Sequence, residues 1–357
     1  MFIEKIELEN YRNYNKQEII FNKDINIIYG NNAQGKTNII ESIFLCAYGK
    51  SFRTKKDTEL IQFGKEKAEV NIYYQKEDRK GKIKAEIDNK KTFYINEIKQ
   101  KKISEIVGKI NIIIFTPDDI DIIKEGPERR RKFLDMMISS LRPNYIHLLN
   151  SYNNVLEQRN NYLKQIKYDN KKEEMLDVWD EQLAKFSEKI YEYRKTFIEK
   201  YKEKINTIHK MITKSGKEEI KIKYFSNGNN KEKYLSDLIK NREIDIGRGF
   251  TATGIHRDDF VIYINGKQIS VYGSQGQQRT AILTLKLCEL EIVKEEIGET
   301  PILLLDDFMS ELDFERRNSL LENIRGNQVI ITCTDKLELE NNSSIFLVEE
   351  GSCKKVK

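Results

Sequence analysis

An α/β fold built around a phosphate-binding loop follows from three observations. A strand-like run, Ile25-Asn-Ile-Ile-Tyr29, leads into Gly30-Asn-Asn-Ala-Gln-Gly-Lys-Thr37. The apolar residues that follow, Ile39, Ile40, Ile43, Phe44 and Ala47, recur at helical spacing, giving the strand, glycine loop and helix that a G-x-x-x-x-G-K-[ST] motif requires. Far downstream, the all-apolar run Ile302-Leu-Leu-Leu305 delivers Asp306 and Asp307 at its end, where open α/β sheets place ligands. Shortly before it, Ser274-Gln-Gly-Gln-Gln-Arg279 opens a second helical pattern.

The elements can be taken in order. Ile3 to Leu8 reads as a strand, Ile19 to Phe21 as a short one, and Ile25 to Tyr29 as the strand before the loop. Val70, Ile72 and Tyr74, then Ile83, Ala85 and Ile87, alternate with polar neighbours, with Lys80-Gly81 and Asp88-Asn89 as turn signals. Together they predict a lysine-rich antiparallel β lobe. Ile110 to Phe115 is a mostly apolar strand ended by Thr116-Pro117.

From Tyr145 to Met211 the pattern is helical and free of glycine. Tyr145, Leu148, Tyr152, Leu156, Arg159 and Tyr162 form one seam; Trp179, Leu183, Phe186, Ile190, Tyr193, Phe197, Tyr201, Ile205 and Ile208 form another. The polar stretch Lys167 to Glu174 separates them, so two antiparallel helices joined by a charged turn are expected. They are either core helices of a second sub-domain or a short coiled-coil-like arm. Strands return at Ile220 to Phe225 and Phe260 to Ile264. The expected organisation is a head of residues 1–135 and 245–357 and a helical arm sub-domain of residues 136–244.

Composition bounds the function. A chain of 357 residues with 39% hydrophobic and 33% charged side chains is globular. It carries no apolar run near the roughly 18 residues of a membrane span, and its N-terminus is strand-like and charged rather than a secretory leader. A cytoplasmic protein without membrane partners is expected. Four scattered cysteines suggest neither a disulfide framework nor a zinc site. The net charge of +5 neither makes nor excludes a nucleic-acid binder.

The motifs assign chemistry. Gly30, Asn31, Asn32, Gln34, Gly35, Lys36, Thr37 and Asn38 are the candidate contacts to ATP. The glycines let backbone N–H groups approach phosphates, Lys36 neutralises the terminal phosphates, and the Thr37 hydroxyl can ligate Mg²⁺. Asp306 is the second Mg²⁺ ligand by position, and Asp307 stands where a carboxylate can orient an attacking water, a general-base role in which Asp is less able than the longer Glu. Ser274, Gly276 and Gln277 suit a second phosphate-contacting loop, or a helix cap. Ser310 and Asp313 form a turn directly after the acids.

With those residues assembled, the chain resembles the ABC-type ATPase heads of the SMC-like group, and within it the RecF family. The resemblance rests on Gly30 to Glu41, Ser51-Phe-Arg-Thr54, Gly126 to Asp135, Gln158-Arg-Asn160, Gly254-Ile-His-Arg-Asp-Asp259, and Ser274 to Asp313. Phe52 and Ile255 stand where chains of that family commonly carry His and Pro. No glutamine marks a Q-loop near Phe115 to Asp119, and Thr332-Cys-Thr334 replaces the switch histidine of transporters, with Thr334 as the candidate γ-phosphate contact.

The resemblance implies an ATP-dependent homodimer in which Ser274, Gly276 and Gln277 of one subunit close over the nucleotide on Lys36 and Thr37 of the other, with Ser310 and Asp313 at the interface. It further implies slow, DNA-dependent ATP hydrolysis acting as a timer. It places the protein in DNA replication, recombinational repair and the SOS response to DNA damage, at gaps and junctions of single- and double-stranded DNA, with RecR and RecO as partners in loading RecA. A chromosome-organising SMC-like ATPase would need a longer arm and a hinge. A transporter subunit would be expected to have a switch histidine, and an ABC-headed nuclease a further metal-carboxylate domain.

Some residues carry two readings. Arg129, Arg130, Arg131 and Lys132 suit DNA phosphates or a structural ion-pair network. His256 lies near the nucleotide or within a polar cluster. Lys82, Lys84, Lys90, Lys91, Lys99, Lys101 and Lys102 track a DNA backbone or blunt a sheet edge.

Overall fold

The computed structural model describes residues 1–169, 173–214, 216–336 and 343–357. They fall into two compact units: Met1–Ile120 with Met211–Lys214 and Ile282–Lys357, and Asp121–Lys210 with Ser215–Ala281. The division differs from the 135/136 and 244/245 boundaries read from sequence. Helix Pro127–Leu141 packs on strand Asp259–Ile264 and on helix Pro143–Asp169. Arg130 also grips both carboxylate oxygens of Asp259, at 2.6 and 3.0 Å. Residues flanking the arm on both sides therefore belong with it.

The first unit holds two six-stranded sheets. One is ordered Ser352–Lys355, Ser343–Glu349, Ile25–Tyr29, Val329–Cys333, Ile302–Asp306 and Ile112–Phe115, parallel except for the first hairpin. Ile27, Ile28, Leu303, Leu304, Leu305, Ile330 and Ile331 are wholly buried, as strands covered on both faces must be. The helix after the loop, Lys36–Tyr48, is buried nearly all round. In register, Thr332 lies beside both Asp306 and Ile28, so three strands end level at one edge.

The other sheet is antiparallel: Tyr14–Ile20, Phe2–Tyr11, Ala68–Lys76, Arg79–Ile87, Lys91–Ile95 and Ile98–Lys99. The turn signal at Lys80-Gly81 is not a turn. Those residues lie in the strand, and the chain reverses at Glu77-Asp78. Gly81 pairs with Tyr74, whose ring lies 2.4 Å from where a Cβ would sit, so the glycine seats an aromatic ring. The Gln328 side chain joins the two sheets. It accepts from Ile3 N (2.7 Å) and donates to the carbonyls of Ile3 and Asn22 (both 2.8 Å).

The second unit pairs helices Pro143–Asp169 and Leu176–Thr213 with strands Lys267–Gln268, Asp259–Ile264 and Ile220–Phe225. The helices run antiparallel: Tyr145 meets Tyr193 (5.3 Å between ring centres) while Tyr162 meets Trp179 (4.7 Å). Residues 170–172 of the expected turn lie outside the described residues. In the first helix Val155, Leu163 and Ile166 are buried where Leu148, Leu156 and Tyr162 were expected. Tyr145, Tyr152, Arg159 and Ile166 repeat every seven residues and are all buried, so the seam follows a heptad.

Much of this seam is polar. Arg159, wholly buried, donates to Asp180 and Asp245 (2.7 Å each) and to Thr251 (2.8 Å). Arg194 holds both oxygens of Asp135 at 2.8 Å and the Ile255 carbonyl at 2.8 Å. Arg131 donates to the Asp258 carbonyl (2.7 Å) and Arg129 to Glu125 (2.7 Å), so the basic run 129–131 is engaged in structural contacts. Among the described residues no helix is long and apolar enough to cross a membrane.

His256 sits in the polar cluster. The Thr251 carbonyl can only accept, so Nε2 carries the proton (3.1 Å) and Nδ1 accepts from the Tyr152 hydroxyl (2.6 Å). Burial pushes its pKa down to about 4, whereas the unfolded chain takes up the proton near the ordinary value of ~6.5. Stability is therefore lost as the pH falls from ~6.5 towards 4. His256→Gln keeps a donor and an acceptor without the titration. Relative to the parent it should gain roughly 2 kcal/mol between pH 7 and pH 5, read from urea midpoints. An unchanged difference would mean that the imidazole takes up its proton as readily in the folded chain as in the unfolded one.

Candidate nucleotide site

The phosphate loop is shaped by packing on both sides. Gly30 has φ 152°, and a Cβ there would lie 2.3 Å from the Val348 carbonyl of the neighbouring strand. Gly35 has φ 112°, and its Cβ would collide with the Asn13 side chain. Both positions admit only glycine. Asn13 braces the loop by donating to the Gln34 carbonyl (2.7 Å) and accepting from Asn38 (2.8 Å), while the Tyr14 hydroxyl donates to the Gly35 carbonyl (3.1 Å). The Gln34 side chain accepts from Glu350 N (2.7 Å).

Within this cradle the Lys36 ammonium is buried and donates to the carbonyls of Gly30 (2.8 Å) and Asn31 (3.0 Å). Asn31 and Asn32 are exposed at the loop tip. The Thr37 hydroxyl opens the helix and donates to Asp306 Oδ1 at 2.9 Å. Residues 269 positions apart thus meet because their strands end at one edge.

Asp306 is almost fully buried, and burial raises its pKa against the opposing pull of the Thr332 and Thr37 hydroxyls. Thr332 Oγ1 donates to the same Oδ1 (2.7 Å) and accepts from Asp307 N (3.0 Å). That bond holds Asp307 in a left-handed conformation (φ 47°, ψ 12°), which Asp tolerates better than most residues. The cluster combines a lysine, a backbone cradle and two hard oxygen donors, a set suited to polyphosphate and Mg²⁺.

Lys36, Thr37, Asp306 and Asp307 all belong to the first unit, whereas Ser274, Gly276 and Gln277 belong to the second. There Ser274 and Gln277 form a reciprocal cap: Ser274 N donates to Gln277 Oε1 (2.9 Å) and Gln277 N to Ser274 Oγ (3.2 Å). The Gln277 amide also donates to Glu218 (2.7 Å). Ser310 Oγ donates to the Asp307 carbonyl (2.6 Å), and Asp313 caps helix Phe314–Asn323 by accepting from Arg316 N (3.0 Å).

Sequence reasoning missed Asn13, Tyr14 and Thr332. The hydroxyl that reaches the acids is Thr332, not Thr334, which is exposed. Phe52 packs edge-on against Phe44, with ring centres 5.2 Å apart, and Ile255 is buried.

A family profile described as "RecF/RecN/SMC N terminal domain" matches residues 2–355. The DNA replication and repair protein RecF of Acetivibrio thermocellus is 47% identical over 356 residues, covering 96% of each chain. That of Clostridium acetobutylicum is 45% identical, covering 98% of this chain and 99% of its own. A solved structure of the recombination mediator protein RecF-ATPrS in the RecFOR pathway superposes with a TM-score of 0.93 at 40% identity, covering 100% of this chain and 98% of that one. A crystal structure of an SmcHead bound to the C-winged helix domain of ScpA, at 18% identity and a TM-score of 0.60, shares the ABC-type ATPase head fold. The chain belongs to the RecF family of DNA replication and repair proteins, within the RecF/RecN/SMC group of ATPases.

Proposed function

We propose that this chain binds and slowly hydrolyses ATP, and that ATP closes two copies into a clamp on DNA. The observation that carries this reading is the Thr37–Asp306 contact at the mouth of the glycine loop, with the Ser274–Gln277 cap in the other unit. One subunit then offers a phosphate cradle and metal ligands, and the other the signature loop. The relative solved with an ATP analogue supports the choice of nucleotide.

In this reading the N–H groups of the Gly30 to Asn38 loop and the Lys36 ammonium bind the phosphates. Thr37 and Asp306 hold Mg²⁺, which supplies charge neutralisation at the phosphates. Among the described residues no group of three or more His, Cys, Asp or Glu could hold a metal. Two protein ligands beside phosphate and water suffice for Mg²⁺. Asp307 orients the attacking water, and its short side chain suits slow turnover. Ser274, Gly276 and Gln277 contact the partner's nucleotide across the dimer, with Ser310 and Asp313 beside them. The clamp acts in the cytoplasm at gaps and at junctions of single- and double-stranded DNA, helping RecA load together with RecR and RecO. Its DNA dependence links hydrolysis to release.

Lys36→Arg or Ser274→Arg should each leave a folded monomer that no longer dimerises with ATP, as light scattering would detect. An equimolar mixture should recover part of the dimer, because opposed defects leave one of two composite sites intact. A parent that stays monomeric with ATP and DNA rules the clamp out. Thr332→Val removes the hydroxyl that holds Asp306 and Asp307 and should lower kcat roughly 10- to 100-fold, with nucleotide affinity little changed. Full activity in that variant would remove Thr332 from the site.

A further inference from the structure

A chain of side chains fastens the Ser274–Gln277 loop to the long helix Leu176–Thr213, and all of its members lie in the second unit. Gln277 stands at its centre. The amide oxygen accepts from Ser274 N (2.9 Å), and the amide nitrogen donates to Glu218 Oε1 (2.7 Å). The other carboxylate oxygen, Oε2, lies 3.2 Å from His209 Nε2. A carboxylate only accepts, so Nε2 carries the ring proton and donates it. His209 is wholly buried, and burial lowers its pKa below the ordinary value against the opposing pull of Glu218. The ring is thus a neutral donor near pH 7.

Glu218 does not move with the loop. It shortly precedes strand Ile220–Phe225, whose first residue donates from its N to Asn206 Oδ1 on the long helix (3.3 Å). Between them Glu219 exchanges bonds with Asn265: Glu219 N donates to Asn265 Oδ1 (2.8 Å), and the Glu219 carbonyl accepts from Asn265 N (2.9 Å). The carboxylate therefore stands on backbone held from two sides.

The loop requires such a hold. Ser274 and Gln275 are exposed, and Gln278 secures the segment before them by donating to the carbonyls of Ile269 (3.3 Å) and Gly273 (3.2 Å). The two ends of the Gln277 amide are alike in shape but opposite in hydrogen bonding. Turned over, the amide would set its NH₂ against Ser274 N and its oxygen against the carboxylate. Glu218 therefore selects one orientation, the one that gives Ser274 N an acceptor. Ser274 Oγ in turn accepts from Gln277 N (3.2 Å), which leaves its own O–H proton to donate elsewhere.

We infer that Glu218 is a positioning residue of the signature loop: it fixes the Gln277 amide so that Ser274 presents its hydroxyl to the partner's nucleotide, and His209 ties that setting to the long helix. A short N–H···carboxylate bond is stronger than one between neutral groups, and it reaches the loop from the side, leaving the Ser274 hydroxyl open. The inference rests on the ATP-clamp reading above and deepens it by naming what holds the loop that acts across the dimer.

The test follows ATP hydrolysis by the full chain with DNA, and its ATP-driven dimerisation by light scattering. Glu218→Ala should lower kcat roughly 10- to 100-fold, with the affinity of the monomer for a fluorescent ATP analogue unchanged. Glu218→Gln, which can still accept from Gln277, should recover part of the loss. Mixtures identify the half of the composite site that is affected. Glu218→Ala mixed with Lys36→Arg should hydrolyse ATP faster than the two variants separately, because each mixed dimer keeps one site with a parent phosphate loop and a parent signature loop. Glu218→Ala mixed with Ser274→Arg should gain nothing, since both defects lie on the signature side. A gain with Ser274→Arg instead of Lys36→Arg, or with neither, overturns the inference, as does a Glu218→Ala variant that matches or exceeds the parent. His209→Leu should lower kcat less than Glu218→Ala and add nothing to it in the double variant; losses that multiply overturn the tie to the helix. A parent that neither dimerises nor hydrolyses ATP overturns the functional reading itself, and is told apart because the parent then fails along with the variants.

Discussion

A single carboxylate oxygen organises the nucleotide side of this molecule. Asp306 Oδ1 receives the hydroxyls of Thr37 and Thr332, so the loop strand, the acidic strand and the strand between them are fastened at one point. The arrangement exists because parallel strands with apolar interiors end level, which places their next residues in a row. Burial disfavours the charge on Asp306, and the two hydroxyls restore part of the lost solvation. The site is therefore electrostatically prepared for a cation before any ligand arrives.

The second unit solves a different problem. Its long helices share a seam occupied by Arg159 and Arg194 as well as apolar groups. Buried ion pairs add little net stability but are costly to misalign. Arg159 reaches Asp180 and Asp245, and Arg194 reaches Asp135 and the Ile255 carbonyl. These bonds fix the rotation and register of the two helices against residues 135 and 245–255, where a purely apolar seam could slide. The length of the pair, 27 and 38 residues, agrees with a rigid brace more than with a long tether.

Legibility in the sequence tracked how local each cause was. The strand at Ile25 to Tyr29 and the acids after Leu305 were readable because motif and hydrophobic run lie within a few residues. The Ser274–Gln277 cap was readable for the same reason, being a bond between residues three apart. Thr332 was not, since its partner is 26 positions away and set by strand order. Gly81 was misread as a turn because the ring it accommodates belongs to the opposite strand. The unit boundary was misplaced because Arg130 finds Asp259 across 129 residues.

The walls of the phosphate loop come from widely separated parts of the chain. Asn13 supports one side, Val348 closes against Gly30 on the other, and Glu350 N reaches Gln34 across 316 positions. During synthesis the loop and its helix leave the ribosome long before Ser343–Glu349, the strand that completes the cradle. Contacts of such long sequence separation form slowly, so a growing chain reaches nucleotide competence only after that strand has been made. Bound nucleotide then favours the folded state by mass action, and a truncated or misfolded product that lacks the last strands would lack both the cradle and that protection.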